Sequence, residues 1–217
     1  IMIVLAAFLV SPAWAAPAKL VQLSGKAQIT RAKGNEPAAV GALLVEGEAI
    51  ATGKDGTAVL ELDDGSQVKL VPSSRVAVSD LKNARELRLE AGGVFAKAQP
   101  QPAGKPTFRI RTRSAVMGVR GTQFFAALGR KKGAAERDVW MCVNEGQVEV
   151  ETTAEKKKVA VNAGQGVIVP EGKNVTPPKE YAWTKKLDWE MSAKDGAQGA
   201  DQMLESAYKD LLNQNYD

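Results

Sequence analysis

Three arginines that alternate along one predicted strand are the most unusual polar feature of this sequence. Arg109, Arg111 and Arg113 are each separated by a single residue. Alternate side chains of a strand lie on one face, about 7 Å apart, and like charges in such a row repel unless anions lie beside them. Guanidinium groups bind carboxylates through paired, charge-assisted hydrogen bonds. The row therefore predicts either a charge ladder inside the protein or a basic strip that binds an acidic ligand.

Two acidic residues of the same chain are candidates to neutralise this row. Glu149 and Glu151 alternate in the same way, and opposite charges on neighbouring strands stabilise a sheet. If their strand lies alongside, the arginines form a ladder. If it does not, the strip suits an acidic glycan or the acidic surface of a protein partner. Arg120 is a fourth candidate, which either ties the carbonyls of neighbouring strands together or presents its charge to an anionic ligand.

The sequence contains no arrangement of residues that is typical of catalysis. It has no histidine and a single cysteine, Cys142, in an apolar run, so it has no serine–histidine or cysteine–histidine pair. Asp63, Asp64 and Ser66 fit a turn better than a calcium loop, because they lack its ligand spacing. We therefore expect a protein that is not an enzyme, with no cofactor and no metal site.

The segments around these residues predict an all-β fold. Short alternating runs such as Ala58–Leu62 and Gln67–Leu70 are separated by turn residues such as Asp63–Ser66, and this pattern is typical of β-hairpins. No helical period appears before Pro178. The pattern predicts an antiparallel β-sandwich with a C-terminal helical tail, and a short β-roll or β-helix is the alternative.

The segment SAVMGVRGTQF, residues 114–124, resembles the Ala-x-x-x-Val-Arg-Gly-Thr-x-Phe signature of FecR domains. The order and spacing of further segments agree from about Leu23 to Pro170, although Glu48 stands where aspartate is expected. The resemblance implies a jelly-roll-like sandwich over residues 19–170. We expect Gly118, Gly121 and Thr122 to serve the fold, with the glycines at a bulge or a close backbone approach. The further matching segments are Gly47–Gly53, Ala58–Leu62, Asp64–Ser66, Pro72–Ser74, Glu145–Val148 and Ala163–Gln165.

FecR-family regulators sense a transport event through periplasmic contacts and relay it to a cytoplasmic sigma factor. The sequence read here shows no helical region before the strands and no second apolar segment, so we expect the interaction domain without the relay. The resemblance thus implies a non-catalytic module for interaction, sensing or scaffolding in the cell envelope, with an envelope protein as its partner. The alternative is a binder of cell-wall glycan or another anionic polymer.

The N-terminal residues predict export. Residues 1–10 are an apolar run, followed by Ser11-Pro12 and an A-x-A site that ends at Ala15, which together are typical of a signal peptide at residues 1–15. We expect a protein of the periplasm or beyond, with no stable membrane span after cleavage, because the run is too short to cross a bilayer. The net charge of +4 is too small to indicate nucleic-acid binding.

The end of the sequence has a helical pattern. A proline-rich linker, residues 171–182, leads to a tail at residues 183–217 in which apolar residues follow a period of three to four. The apolar stripe of such a helix must be covered. It either docks back on the sandwich or binds a partner in helix-in-groove fashion, and the sequence leaves both alternatives open. The stripe residues for that contact are Met203, Leu204, Ala207 and Leu211.

The mature protein is expected to begin at Ala16, because the A-x-A site follows the apolar run directly. The intact mass of the exported protein measures this start. A mass that retains residues 1–15 would contradict the prediction and indicate a membrane-tethered protein.

Overall fold

A computed structural model describes residues 17–100, 108–119, 121–129 and 137–214, with the backbone alone at residues 206 and 210–214. This part of the chain forms two nine-stranded sheets, which we call sheet A and sheet B. The sheets bury a large apolar core, and a helix follows them near the C-terminus. The prediction of an all-β sandwich with a C-terminal helix is confirmed.

The chain alternates between the two sheets as single strands and hairpins, so both sheets follow nearly the same sequence order. All pairings are antiparallel except that of β9 with β11, which is parallel. Sheet A contains, from edge to edge, β18 (Lys179–Glu180), β17 (Gln165–Val169), β14 (Asp138–Glu145), β13 (Gln123–Gly129), β10 (Gly93–Lys97), β7 (Gln67–Leu70), β6 (Thr57–Glu61), β1 (Ala18–Ser24) and β4 (Leu43–Leu44). Sheet B contains β16 (Lys158–Asn162), β15 (Gln147–Thr152), β12 (Ala115–Val119), β11 (Phe108–Arg111), β9 (Glu86–Ala91), β8 (Arg75–Asp80), β5 (Ala49–Thr52), β2 (Ala27–Arg31) and β3 (Gly34–Pro37).

The hydrophobic pattern differs between the sheets because their outer faces differ. In β15 of sheet B, Val148 and Val150 are buried while Glu149 is exposed, as expected for a strand with one face in water. In β13 and β14 of sheet A, by contrast, long runs of consecutive residues are buried. Both faces of these strands are therefore covered, one by sheet B and the other by the C-terminal part of the chain.

The C-terminal tail packs on the outer face of sheet A. After β18 it forms a 3-10 helix, Ala182–Lys186, and later the helix α1, Ala200–Gln214. Trp183 lies edge-on to Trp140, with ring centroids 6.1 Å apart, and Trp189 meets Phe95 at 5.4 Å. A second apolar core results, which joins sheet A to the tail. Its buried members are Val71, Phe95, Phe125, Ala127, Trp140, Cys142, Ile168, Tyr181, Trp183, Ala200, Leu204 and Ala207.

Polar side chains of sheet A fasten the segment between the two helices. The ammonium group of the buried Lys69 donates hydrogen bonds to the carbonyls of Asp188, at 3.1 Å, and Glu190, and it lies 4.4 Å from the centre of the Phe95 ring. Burial lowers the pKa of Lys69. The Gln123 amide donates to the carbonyl of Trp189 at 2.7 Å. These bonds satisfy tail carbonyls that would otherwise lack partners against an apolar surface.

The structure places the predicted partner helix against the protein itself. Leu204 and Ala207 are buried against sheet A and Met203 is half-buried, so docking on the sandwich is the alternative that describes these side chains. The physical reason is that the outer face of sheet A is aromatic and would be exposed to water if the helix did not pack on it. The Leu211 side chain lies outside the described part. Within the predicted linker, Lys179–Glu180 pairs with β17 as a strand.

The FecR-like signature forms the corner where the chain leaves sheet B for sheet A. Gly121 has a φ of +63°, and a Cβ there would lie 3.1 Å from Pro100. The Thr122 hydroxyl donates to the carbonyl of Gln147 at 3.0 Å. Gly146 packs so closely that a Cβ would lie 2.7 Å from the Gly121 carbonyl oxygen. Gly121 thus permits the positive φ of this corner, and Thr122 supplies a hydrogen bond to its backbone.

Replacing Leu204 by alanine is expected to lower the free energy of unfolding by about 2–5 kcal/mol, because the side chain is fully buried over Gly129. Urea denaturation measures the change. Lys209→Ala, on the exposed side of the same helix, is the control and is expected to change stability by at most about 0.5 kcal/mol. Equal stabilities of the Leu204 variant and the wild type would contradict the docking of α1.

Candidate anion-binding groove on sheet B

The structure brings two of the three predicted arginines together. Arg109 and Arg111 lie on β11 on the outer face of sheet B, with Arg109 exposed and Arg111 half-buried. Arg113 lies beyond the end of β11, in a tight turn where the Thr112 amide donates to the carbonyl of Ala115 at 2.8 Å. Its guanidinium lies 3.1 Å from the Glu171 carboxylate. The expectation of a three-residue row is therefore corrected, because the strand ends at Arg111.

The predicted ladder with Glu149 and Glu151 is also corrected. Their strand, β15, does not lie beside β11, because β12 intervenes. Arg111 instead binds Glu86 of the parallel neighbour β9, with 2.6 Å between Nε and Oε1. This hydrogen bond raises the pKa of Arg111 while burial opposes the rise. On the far side, Lys158 of β16 lies 2.8 Å from Glu149 and 3.9 Å from Glu151.

Arg109 has no ionic partner among the described residues. In the register of the sheet it is flanked by Glu86 on one side and Gly118 on the other. Glu86 is engaged by Arg111, and Gly118 has no side chain. Beyond Gly118 lies Glu149, which is engaged by Lys158. Among the described residues, the Arg109 guanidinium forms no hydrogen bond or ion pair, so it keeps its full capacity to bind an anion.

A shallow groove of about 660 Å³ surrounds this arginine. Val116 and Gly118 of β12 form its floor, with β11 on one side and β15 and β16 on the other. Four cationic and two anionic side chains line it, which gives the groove a positive balance. The lining residues are Arg109, Arg111, Val116, Gly118, Val119, Gln147, Glu149, Glu151, Thr152, Thr153, Lys156 and Lys158.

Gly118 does not serve the fold in the way that the sequence indicates. It lies in the regular part of β12, and neither of its two pairings shifts register there. A Cβ at this position would meet no atom of the described residues within 4 Å. Among the described residues, Gly118 thus shows neither the expected bulge nor a close backbone approach. A close backbone approach is present at Gly121. What Gly118 provides is open space on the groove floor.

The other predicted site residues fall elsewhere. Arg120 lies outside the described residues. Cys142 is fully buried in sheet A, and burial raises the pKa of its thiol, which keeps it protonated. In the described ranges, no group of histidine, cysteine or acidic residues is placed to hold a metal ion.

Sequence reasoning missed Glu86 and the two lysines of the groove, and it assigned Gly118 to the fold. Lys156 and Lys158 belong to a run of like charges that indicates a solvated turn, yet Lys158 opens β16 and faces Glu149. The alternation of Lys158, Ala160 and Asn162 was the available signal for that strand. Glu86 carried no signal, because its pairing with Arg111 depends on the parallel contact of β9 with β11.

Comparisons with known proteins agree with the signature at this corner of the fold. Residues 48–148 match the model of the FecR protein family, as the signature predicts. No curated protein matches the sequence. Among solved structures, it is similar to an anti-sigma factor candidate from Parabacteroides distasonis ATCC 8503, solved at 1.65 and 2.50 Å resolution. Each similarity has 20% identity and a TM-score of 0.49, and covers 64% of this chain and 62% of that chain. In the described part, no helix is long and apolar enough to span a membrane.

Replacing Arg111 by glutamine is expected to cost about 1–2 kcal/mol of stability, because it leaves the largely buried Glu86 carboxylate without its partner. Arg109→Gln is the matched control on the same strand and is expected to change stability by less than about 0.5 kcal/mol. Urea denaturation compares the two. Equal losses would show that Arg109 has a structural partner in solution.

Proposed function

We propose that this FecR-domain chain is a non-catalytic interaction and sensing module of the bacterial cell envelope, and that it binds an acidic surface of an envelope protein through the groove on sheet B. The observation that carries the proposal is Arg109. It is an exposed guanidinium beside an open groove, and the neighbouring carboxylates are already bound to other cations. A ligand carboxylate is the partner that this geometry lacks.

The two outer faces of the sandwich support this choice of surface. The outer face of sheet A is covered by the tail, so its apolar residues are not accessible. Around the groove, the outer face of sheet B carries charged and small side chains, which suit reversible binding of a polar partner. Periplasmic localisation is part of the proposal and is supported by the signal-peptide pattern of residues 1–15.

A cell-wall glycan is the second candidate ligand. Gln147 and Thr153 line the groove and are exposed, and their amide and hydroxyl groups can hydrogen-bond sugar hydroxyls. The arginines would then bind carboxylates of the polymer. Sedimentation with purified peptidoglycan, compared between the wild type and Arg109→Glu, tests this candidate.

Photo-crosslinking in intact cells tests the main proposal. A photoreactive residue at Ala160, an exposed position on β16 at the rim of the groove, is expected to give an adduct with a defined envelope protein. Arg109→Glu in the same chain is expected to abolish that adduct, because it replaces attraction by repulsion. The same photoreactive residue at Lys54, in an exposed turn, is the position control. An adduct that persists with Arg109→Glu, or that forms equally at Lys54, would contradict the proposal.

A further inference from the structure

Gly118 has no structural reason to be a glycine. It is an interior residue of β12, it pairs in register with Arg109 on one side and Glu149 on the other, and its φ is not positive. A glycine at such a position weakens a strand, because it adds backbone entropy and packs nothing. The described residues around it would accommodate a Cβ without contact. The space above Gly118 is therefore a feature that the fold itself does not use.

Two cations face this space from opposite sides. Arg109 lies beside Gly118 on β11, and Lys158 lies across the groove on β16. The hydrogen bond to Glu149 raises the pKa of Lys158, and the charge of Arg109 acts in the opposite direction. The two groups thus interact through the same groove. A carboxylate that entered above Gly118 would lie beside Arg109, and the neighbouring Glu149 is already paired with Lys158.

The spacing of the groove residues matches an extended polypeptide. Arg109 and Arg111 on the wall, and Gly118 and Val116 on the floor, are each two residues apart and face outward. Alternate residues of a strand repeat at about 7 Å, so a second extended chain laid along β12 presents every other side chain at the same interval. Cationic side chains outnumber anionic ones along the groove, so acidic side chains of the bound chain are favoured at those positions.

We infer that Gly118 determines specificity by admitting a carboxylate side chain of an extended acidic polypeptide, which Arg109 binds. The inference rests on the proposed function and names its ligand class: a segment with glutamate or aspartate at alternate positions. Arg109 supplies the charge-assisted hydrogen bonds, and Gly118 supplies the room for the side chain to reach them. A larger residue at position 118 would fill that room while leaving the charges in place.

Binding of synthetic peptides to the purified chain tests this inference. The probe is a fluorescent decapeptide that alternates glutamate and serine, the uncharged control replaces glutamate by glutamine, and oligogalacturonate serves as an acidic glycan. Gly118→Leu and Arg109→Gln are each expected to weaken binding of the acidic peptide by about tenfold or more. Gln28→Leu is the matched control, because Gln28 is exposed on β2, at the far side of sheet B, and does not line the groove. Its affinity is expected to stay within about twofold of the wild type.

The outcomes separate this inference from the function on which it rests. Thermal melts of each variant, with Gly118→Ala as a milder second substitution, establish that the fold is intact. If Arg109→Gln weakens binding but a folded Gly118→Leu does not, the role of Gly118 is overturned while the groove remains the binding site. If the wild type binds oligogalacturonate but not the acidic peptide, the polypeptide ligand is overturned. If no probe depends on Arg109, the groove itself is contradicted.

Discussion

The need to cover the faces of two large sheets governs this structure. Each sheet has an inner face, and the two inner faces bury each other in the main core. The outer face of sheet A is apolar and aromatic, with Phe95, Phe125 and Trp140 all buried, and the free energy of burying such rings is large. The tail provides that burial. The outer face of sheet B around the groove is polar, so it can remain in water and meet a ligand.

The hydrogen bonds between sheet A and the tail explain why the tail packs in one defined position on the sheet. An extended segment laid on an apolar face has backbone carbonyls that need donors, and Lys69 and Gln123 supply them from the sheet. Burying the lysine ammonium has a cost that its hydrogen bonds and the Phe95 ring offset. The tail is thus part of the folded domain and covers the outer face of sheet A.

The sequence predicts the fold class and its signature corner because both depend on local patterns. Alternating residues define the strands, and Gly121 and Thr122 report the conformation of a single turn. Two features depend on the order of the strands in the sheet, which the sequence pattern does not reveal. They are the pairing of Arg111 with Glu86 and the lack of a described ionic partner for Arg109. The docking of the tail had a signal that the interpretation did not use: consecutive apolar residues in Phe124–Ala127 and Val139–Val143 indicate strands covered on both faces.

The central claim is that ligands bind the outer face of sheet B while the tail keeps the outer face of sheet A closed. An NMR titration of the isotopically labelled chain with the alternating acidic peptide tests it most directly, because backbone amides report contacts residue by residue. We expect the largest chemical-shift changes on β11, β12 and β15, with α1 and the strands of sheet A unaffected. Changes concentrated on α1 and the strands beneath it would rule out the groove on sheet B as the binding site.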